Sequence, residues 1–216
     1  MSREEILRAA ARLVRERGPR ALTMRRLAEE LGTAVTAIYW HVGNREALLD
    51  ALVERTLQEF AAIHPTGRTP RTRIVSLART LRAELRARPH LIAMVHERGL
   101  TERLFLPVRQ ALVKEAQAAG LRGARAAALV RAVEFLVVGS VLVEKVSGPE
   151  GERMAADTVT DGAKTGGAVA RDAVTPDAVV AGEGDRALER ALARPPDPGR
   201  LFELSVRAVV RDLLSR

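Results

Sequence analysis

The feature that most narrows the fold is rhythm: apolar residues recur at three- and four-residue spacings over long stretches, while the alternation of a half-buried strand is nearly absent. With aromatics at only 3% of the chain, an almost wholly helical, all-α protein is expected. Ile6, Ala10, Leu13, Val14 and Arg17 outline an amphipathic helix over residues 3–17, which Gly18-Pro19 ends. Thr23 is placed as the N-cap of a short helix over 24–31, closed by Gly32. A third short helix spans 35–41, and Asn44 caps a fourth over 45–63 with Glu46 favoured in its first turn.

HPTGRTP at 64–70 reads as a linker and sets the expected boundary between an N-terminal unit, 1–63, and a C-terminal unit, 64–216. The second unit is expected to hold helices over 71–88, 90–98, Pro107 to Ala119 with Pro107 in the first turn, 124–146, 185–194 and 200–214. Residues 147–184 carry seven Gly, seven acids and three bases and read as a flexible acidic loop.

A chain of 216 residues can bury a substantial core. The longest uninterrupted apolar run near the middle, Phe135 to Val143, holds nine residues, so no membrane span is expected. Charges occupy the start, MSREEILRAA, where an export signal needs an apolar core, and a cytoplasmic location is expected. There is no Cys, and the four His are 41, 64, 90 and 96, which excludes thiol catalysis, iron–sulfur clusters and Cys-based zinc sites. Of the 35 basic residues only three are Lys, and the net charge is +8; without 147–184 the rest of the chain carries 32 bases against 20 acids. Arginine pairs bidentately with phosphate, although GC-rich coding sequence also raises its share.

The helices at 24–31 and 35–41, joined at Gly32, have the layout of a helix-turn-helix. Ala28 is small where the two helices would touch, Gly32 permits positive φ in the turn, and Ile38 would plug the angle between them. Leu22, Leu27 and Leu31 complete the inward face.

The stretch LTMRRLAEELGTAVTAIYWHVGNREALLDALVERTL, residues 22–57, resembles the tetracycline-repressor (TetR) family of bacterial transcription regulators. The run from Ile38 to Val42, then Asn44-Arg45 and Ala47-Leu48-Leu49, is similar to the branch nearest the tetracycline repressor itself. The resemblance is strong over roughly the first 60 residues and architectural thereafter. It implies that Arg25 reaches a base and that Val35, Thr36 and Ala37 lie along the major groove, with Thr33 at the start of the same surface. It also implies phosphate contacts from Thr23, Tyr39, His41 and Arg45. Hydroxyl, imidazole and guanidinium groups at the two ends of a short helix suit that role. Thr23 also reads as a plain N-cap, Tyr39 and Trp40 as core plugs and Arg45 as a solvated side chain; Trp40, counted among the DNA-facing residues, is expected to brace the helix. The reading helix offers no Gln or Asn for bidentate base contacts, which leaves much of the direct readout to Arg25 and the remainder to DNA shape and spacing.

Such a head binds double-stranded operator DNA as a two-fold homodimer on a palindrome. The apolar helix 124–146 and the last helix, with Leu201, Phe202, Leu204, Val206, Val209, Val210, Leu213 and Leu214, are the expected dimer elements; completing the monomer core is the other reading. The family also implies a small-molecule effector whose binding tilts helix four and separates the reading helices. Its pocket is expected near His64, Leu85, His90, Met94, His96, Leu104, Phe105, Leu112, Val113, Val137 and Glu144. His96 matches a metal-ligating His of the tetracycline repressor, but Gly99 stands where that family shows Thr, and Thr101 is displaced. No protein-held cofactor or metal is therefore expected, magnesium entering only with a tetracycline-like chelate, and an apolar or amphipathic effector fits better. A regulator without effector, or an activator, stays open. An all-helical enzyme lacks a Ser-His-Asp arrangement, a phosphate loop or a paired metal motif.

Overall fold

The structure, a computed structural model, describes residues 1–147 and 197–215. The expected loop residues from 148 to 184 and the expected helix at 185–194 lie outside the described residues; Ser147, expected to open that loop, ends a helix. The described chain is helical: α1 (Arg3–Arg17), a 3₁₀ turn (Pro19–Ala21), α2 (Met24–Leu31), α3 (Val35–Val42), α4 (Arg45–Ala61), α5 (Pro70–Ala87), α6 (Pro89–Glu97), α7 (Thr101–Ala118), α8 (Gly123–Ser147) and α9 (Pro198–Ser215).

Local chemistry sets the boundaries of the first helices. The Ser2 hydroxyl accepts the Glu5 N–H at 3.2 Å while the Glu5 carboxylate accepts the Ser2 N–H at 2.6 Å, a reciprocal box that starts α1. The Thr23 hydroxyl accepts the Arg26 N–H at 3.2 Å and so caps α2. Gly32 takes a left-handed conformation, φ 62° and ψ 37°, which a side chain would oppose. Its N–H reaches back to the end of α2, and α3 starts three residues later. The Asn44 carboxamide oxygen then accepts the Ala47 N–H at 2.8 Å and starts α4.

Leu22, Leu27, Ala28 and Ile38 are buried together, with Leu31 packed at their edge. In the body, α5, α7, α8 and α9 pack against one another, and α4 and α1 lean on α6, with α4 also touching α7. Ile74, Leu81, Leu104, Leu112, Val133 and Val206 are among the fully enclosed side chains of this core.

Three expectations about elements are corrected. Helix four stops at Ala61, not 63, because His64 precedes Pro65 and the residue before proline disfavours helical backbone. Pro107 does not open its helix: α7 begins at Thr101 and passes through Pro107. The carbonyl of Arg103 loses its usual partner there, a loss offset by burial of Leu104, Val108 and Leu112 on the same stripe. Finally, counting uninterrupted apolar residues understated α8: Gly123–Glu144, 22 residues, is long and apolar enough to cross a membrane by length and composition. The α8 side chains Leu129, Val133 and Val137 are instead enclosed against neighbouring helices.

Candidate nucleic-acid interface

Alternation around α3 decides what it can touch. Ile38 and Val42, four residues apart, are buried and anchor the helix to α1 and α2, which turns the intervening residues outward. Thr36, Tyr39, Trp40 and His41 are exposed, while Thr33, Val35 and Ala37 are half-buried along the flank. Trp40 is 89% exposed, which overturns its expected role as a brace: nothing in the head covers the indole. Tyr39, at 49%, is no core plug either, and its hydroxyl stands on a largely open side chain.

At the start of α2, Thr23 and Arg25 are exposed as well. The Thr23 hydroxyl is engaged as the cap, and its remaining lone pair and proton are at an exposed residue. Arg25 projects freely, holding only the exposed Glu29 one turn on, with Nε at 3.2 Å from Oε1. Such a solvated pair is weak and yields readily to a stronger acceptor.

Arg45 proves more structural than solvated. Its Nε donates to the Leu22 carbonyl and its Nη2 to the Pro19 carbonyl, both at 2.9 Å, and Nη1 pairs with Glu46 at 3.2 Å. The guanidinium thus ties the start of α4 to the turn that leads into α2, leaving two of its five N–H groups for a phosphate. Arg20, on that 3₁₀ turn, was not singled out from the sequence, where Gly18-Pro19 signalled only a helix end. It is exposed, without a partner among the described residues, and three positions from Thr23.

The residues expected around an effector separate into three groups. Leu85, Met94, Leu104, Leu112 and Val137 are buried core, and Phe105 and Val113 pack at its edge. His64 is exposed on the segment between α4 and α5. His90 lies at the junction with the head, its ring 3.7 Å from where a side chain on Gly18 would begin. His96 is exposed, with Nδ1 3.1 Å from the Thr101 hydroxyl, so the displaced threonine does reach the imidazole. Among the described residues no three His, Asp or Glu side chains converge on a point that could hold a metal ion.

Glu144 belongs to a partly buried ionic cluster. It pairs with Arg82, whose Nε also reaches the Ser140 hydroxyl at 3.2 Å, and with Arg86 at 2.6 Å. The Arg82 guanidinium lies 4.8 Å from the centre of the Phe202 ring. Burial, followed by the neighbouring Arg86 charge, pulls the Arg82 pKa below the ordinary arginine value.

Two short helices crossing at Gly32, with one outward stripe of hydroxyl, aromatic, imidazole and guanidinium groups, define a helix-turn-helix DNA-binding protein. Residues 6–52 match the family described as bacterial regulatory proteins, tetR family. The tetracycline repressor protein class C of Escherichia coli is 32% identical over 203 residues, covering 89% of this chain and 88% of that one. The transcriptional regulator SCO7222 of Streptomyces coelicolor, a TetR, superposes with a TM-score of 0.61 at 26% identity, over 100% of this chain and 98% of that one. The Streptomyces coelicolor TetR family protein ActR in complex with actinorhodin gives 0.56 at 25% identity, over 100% and 97%. The chain belongs to the TetR family and is a DNA-binding transcriptional regulator.

Proposed function

We propose that the protein is a repressor that binds a palindromic operator as a homodimer and is released by a small-molecule effector. Residues 1–63 form the reading unit and 64–216 the effector and dimer unit. The observation that carries this reading is the position of α4. It follows the reading helix after two residues, and its acidic edge is fastened to the body: Asp50 to Arg98 at 3.1 Å, Glu54 to Arg103 at 2.7 Å and Glu59 to Arg88 at 3.3 Å. A shift of α6 or α7 therefore moves α4, and with it the placement of Tyr39, His41 and Arg25. A ligand that prefers the body conformation with the wider head spacing weakens DNA binding by the same coupling free energy.

A second copy supplies the other half-site. Phe135 and Leu142 of α8 and Leu201 and Leu204 of α9 are large, apolar and exposed, and these helices pack side by side. Pairing the same face of two subunits would cover them. Arg25 reads a base, Thr36 and the flank of α3 face the groove, and Tyr39, His41, Thr23 and Arg20 hold phosphates. The ActR complex with actinorhodin and the tetracycline repressor relatives support a small-molecule effector, apolar or amphipathic in character. The protein is expected in the cytoplasm, where the operator is.

Selection of bound fragments from a random DNA pool at physiological salt tests the reading. An inverted repeat, bound by a dimer in sedimentation, is the expected result. Recovery of no specific sequence, or of a single unrepeated half-site by a monomer, would overturn it.

A further inference from the structure

We infer that the junction of α1, α4 and α6 is a binding site for a compact multivalent oxyanion, separate from the DNA-reading surface and from the body core. A cavity of about 280 Å³ opens there. On α1 its wall is the stripe Arg8, Ala11, Arg12 and Arg15, and on α4 the matching stripe Leu52, Arg55, Thr56 and Glu59; Arg88 and Leu91 close it from α6. Each helical stripe follows the spacing of one face, so the two helices point their arginines at the same space.

Five guanidinium groups and one carboxylate therefore line the cavity. Treated as a sphere, 280 Å³ is roughly 8 Å across, comparable to the Debye length of about 8 Å at physiological salt, so each charge feels the others. Glu59, within the lining, pairs with Arg55 at 3.0 Å and Arg88 at 3.3 Å, while carboxylates outside it also hold Arg55 (Glu4, 2.7 Å), Arg12 (Glu30, 2.5 Å) and Arg88 (Glu84). Arg8 only approaches Glu4, at 4.0 Å, and Arg15 has no partner among the described residues. Arg8 and Arg15 are thus the guanidinium groups of the lining that are left for a guest. The lining residues Leu52, Thr56 and Leu91 are buried, and an apolar wall beneath converging charge strengthens its field.

The guanidinium fork fits phosphate and carboxylate oxygens alike, and the volume admits a small phosphorylated or polycarboxylate molecule. A bound oxyanion would join α1 and α4 of the head to α6 of the body, which makes the site a second input to the same hinge. This regulatory consequence rests on the proposed function; the site itself does not.

Titration calorimetry of the full chain at fixed ionic strength, with inorganic pyrophosphate and then citrate, reads the site directly. One anion per chain is expected, with pyrophosphate favoured for a phosphate site and citrate for a carboxylate site. Arg8→Gln with Arg15→Gln is expected to weaken binding at least about tenfold, while the charge-matched pair Arg68→Gln with Arg71→Gln, exposed near the start of α5, changes it less than about twofold. Saturable binding of neither anion overturns the inference, as does equal weakening by the two pairs, which would mean diffuse charge. A parallel fall in affinity for a duplex of random sequence would assign Arg8 and Arg15 to the DNA backbone and also overturn it; unchanged duplex binding supports it. No operator is needed, so this outcome is independent of the DNA selection.

Discussion

The head and the body of this protein solve opposite problems. In the head, α1 to α4 are set by small polar devices: the Ser2 box, the Thr23 and Asn44 caps, the Gly32 turn, and the Arg45 clamp that reaches back to Leu22 and Pro19. These devices free an entire face to carry polar and aromatic groups outward. In the body, long apolar helices enclose most of their large side chains and ion pairs such as Arg82–Glu144 and Arg73–Glu115, leaving Phe135, Leu142, Leu201 and Leu204 uncovered. The head offers chemistry at its surface; the body offers shape and an unfinished apolar face. A change at the body face should therefore act through assembly, and a change in the head through contact with DNA.

The largest expected effect sharpens that contrast from the body side. Phe135→Asp with Leu142→Asp places charge on the exposed α8 face and should convert dimer to monomer in sedimentation without loss of helicity. Operator affinity should then fall by on the order of a thousandfold, toward non-specific binding. An unchanged dimer would remove this face from the interface.

Next is the cluster around Arg82. Glu144→Ala leaves Arg82, whose side chain is 11% exposed, without its carboxylate, and should destabilise the fold by about 3 kcal/mol in urea unfolding. A change within about 0.5 kcal/mol would show that solvent already compensates the pair.

In the head, Arg25→Ala should relax base preference and cost roughly 1 to 3 kcal/mol of operator binding, whereas Tyr39→Phe should weaken all sequences alike. Retained preference in the first variant would move the reading head elsewhere. Smallest is Thr23→Ala, expected to lower stability by about 1 kcal/mol through loss of the α2 cap, read as a thermal shift.

The same contrast explains what could be read in advance. The starts of α2 and α4 were legible because the Thr23 and Asn44 side chains act locally, on backbone groups within a few positions. The outward turn of Trp40 was also present in the pattern: Ile38 and Val42 mark the buried face, and residue 40 is opposite. The weight given to a large indole as core filler hid it. Pro107 was misplaced because its tolerance inside α7 comes from distant packing, which no local signal reports. The effector residues scattered for a related reason. Spacing identifies Leu104 and Leu112 as inward, but not whether inward means solid core or ligand wall. Arg45 was legible as a charged helix start, while its two carbonyl partners, more than 20 residues away in sequence, were not.

The exposure of Trp40 has a practical corollary. It is the only tryptophan of the chain, so all indole emission comes from one exposed point on α3, the helix proposed to read DNA. On the proposed reading, that light should report occupancy of the head and little else. An indole already in water gains little further solvent on denaturation, so a melting curve followed by its fluorescence should be nearly flat while the helices unfold. Addition of operator DNA should change it at once. The protein thus carries a probe blind to its own stability and sensitive to its partner.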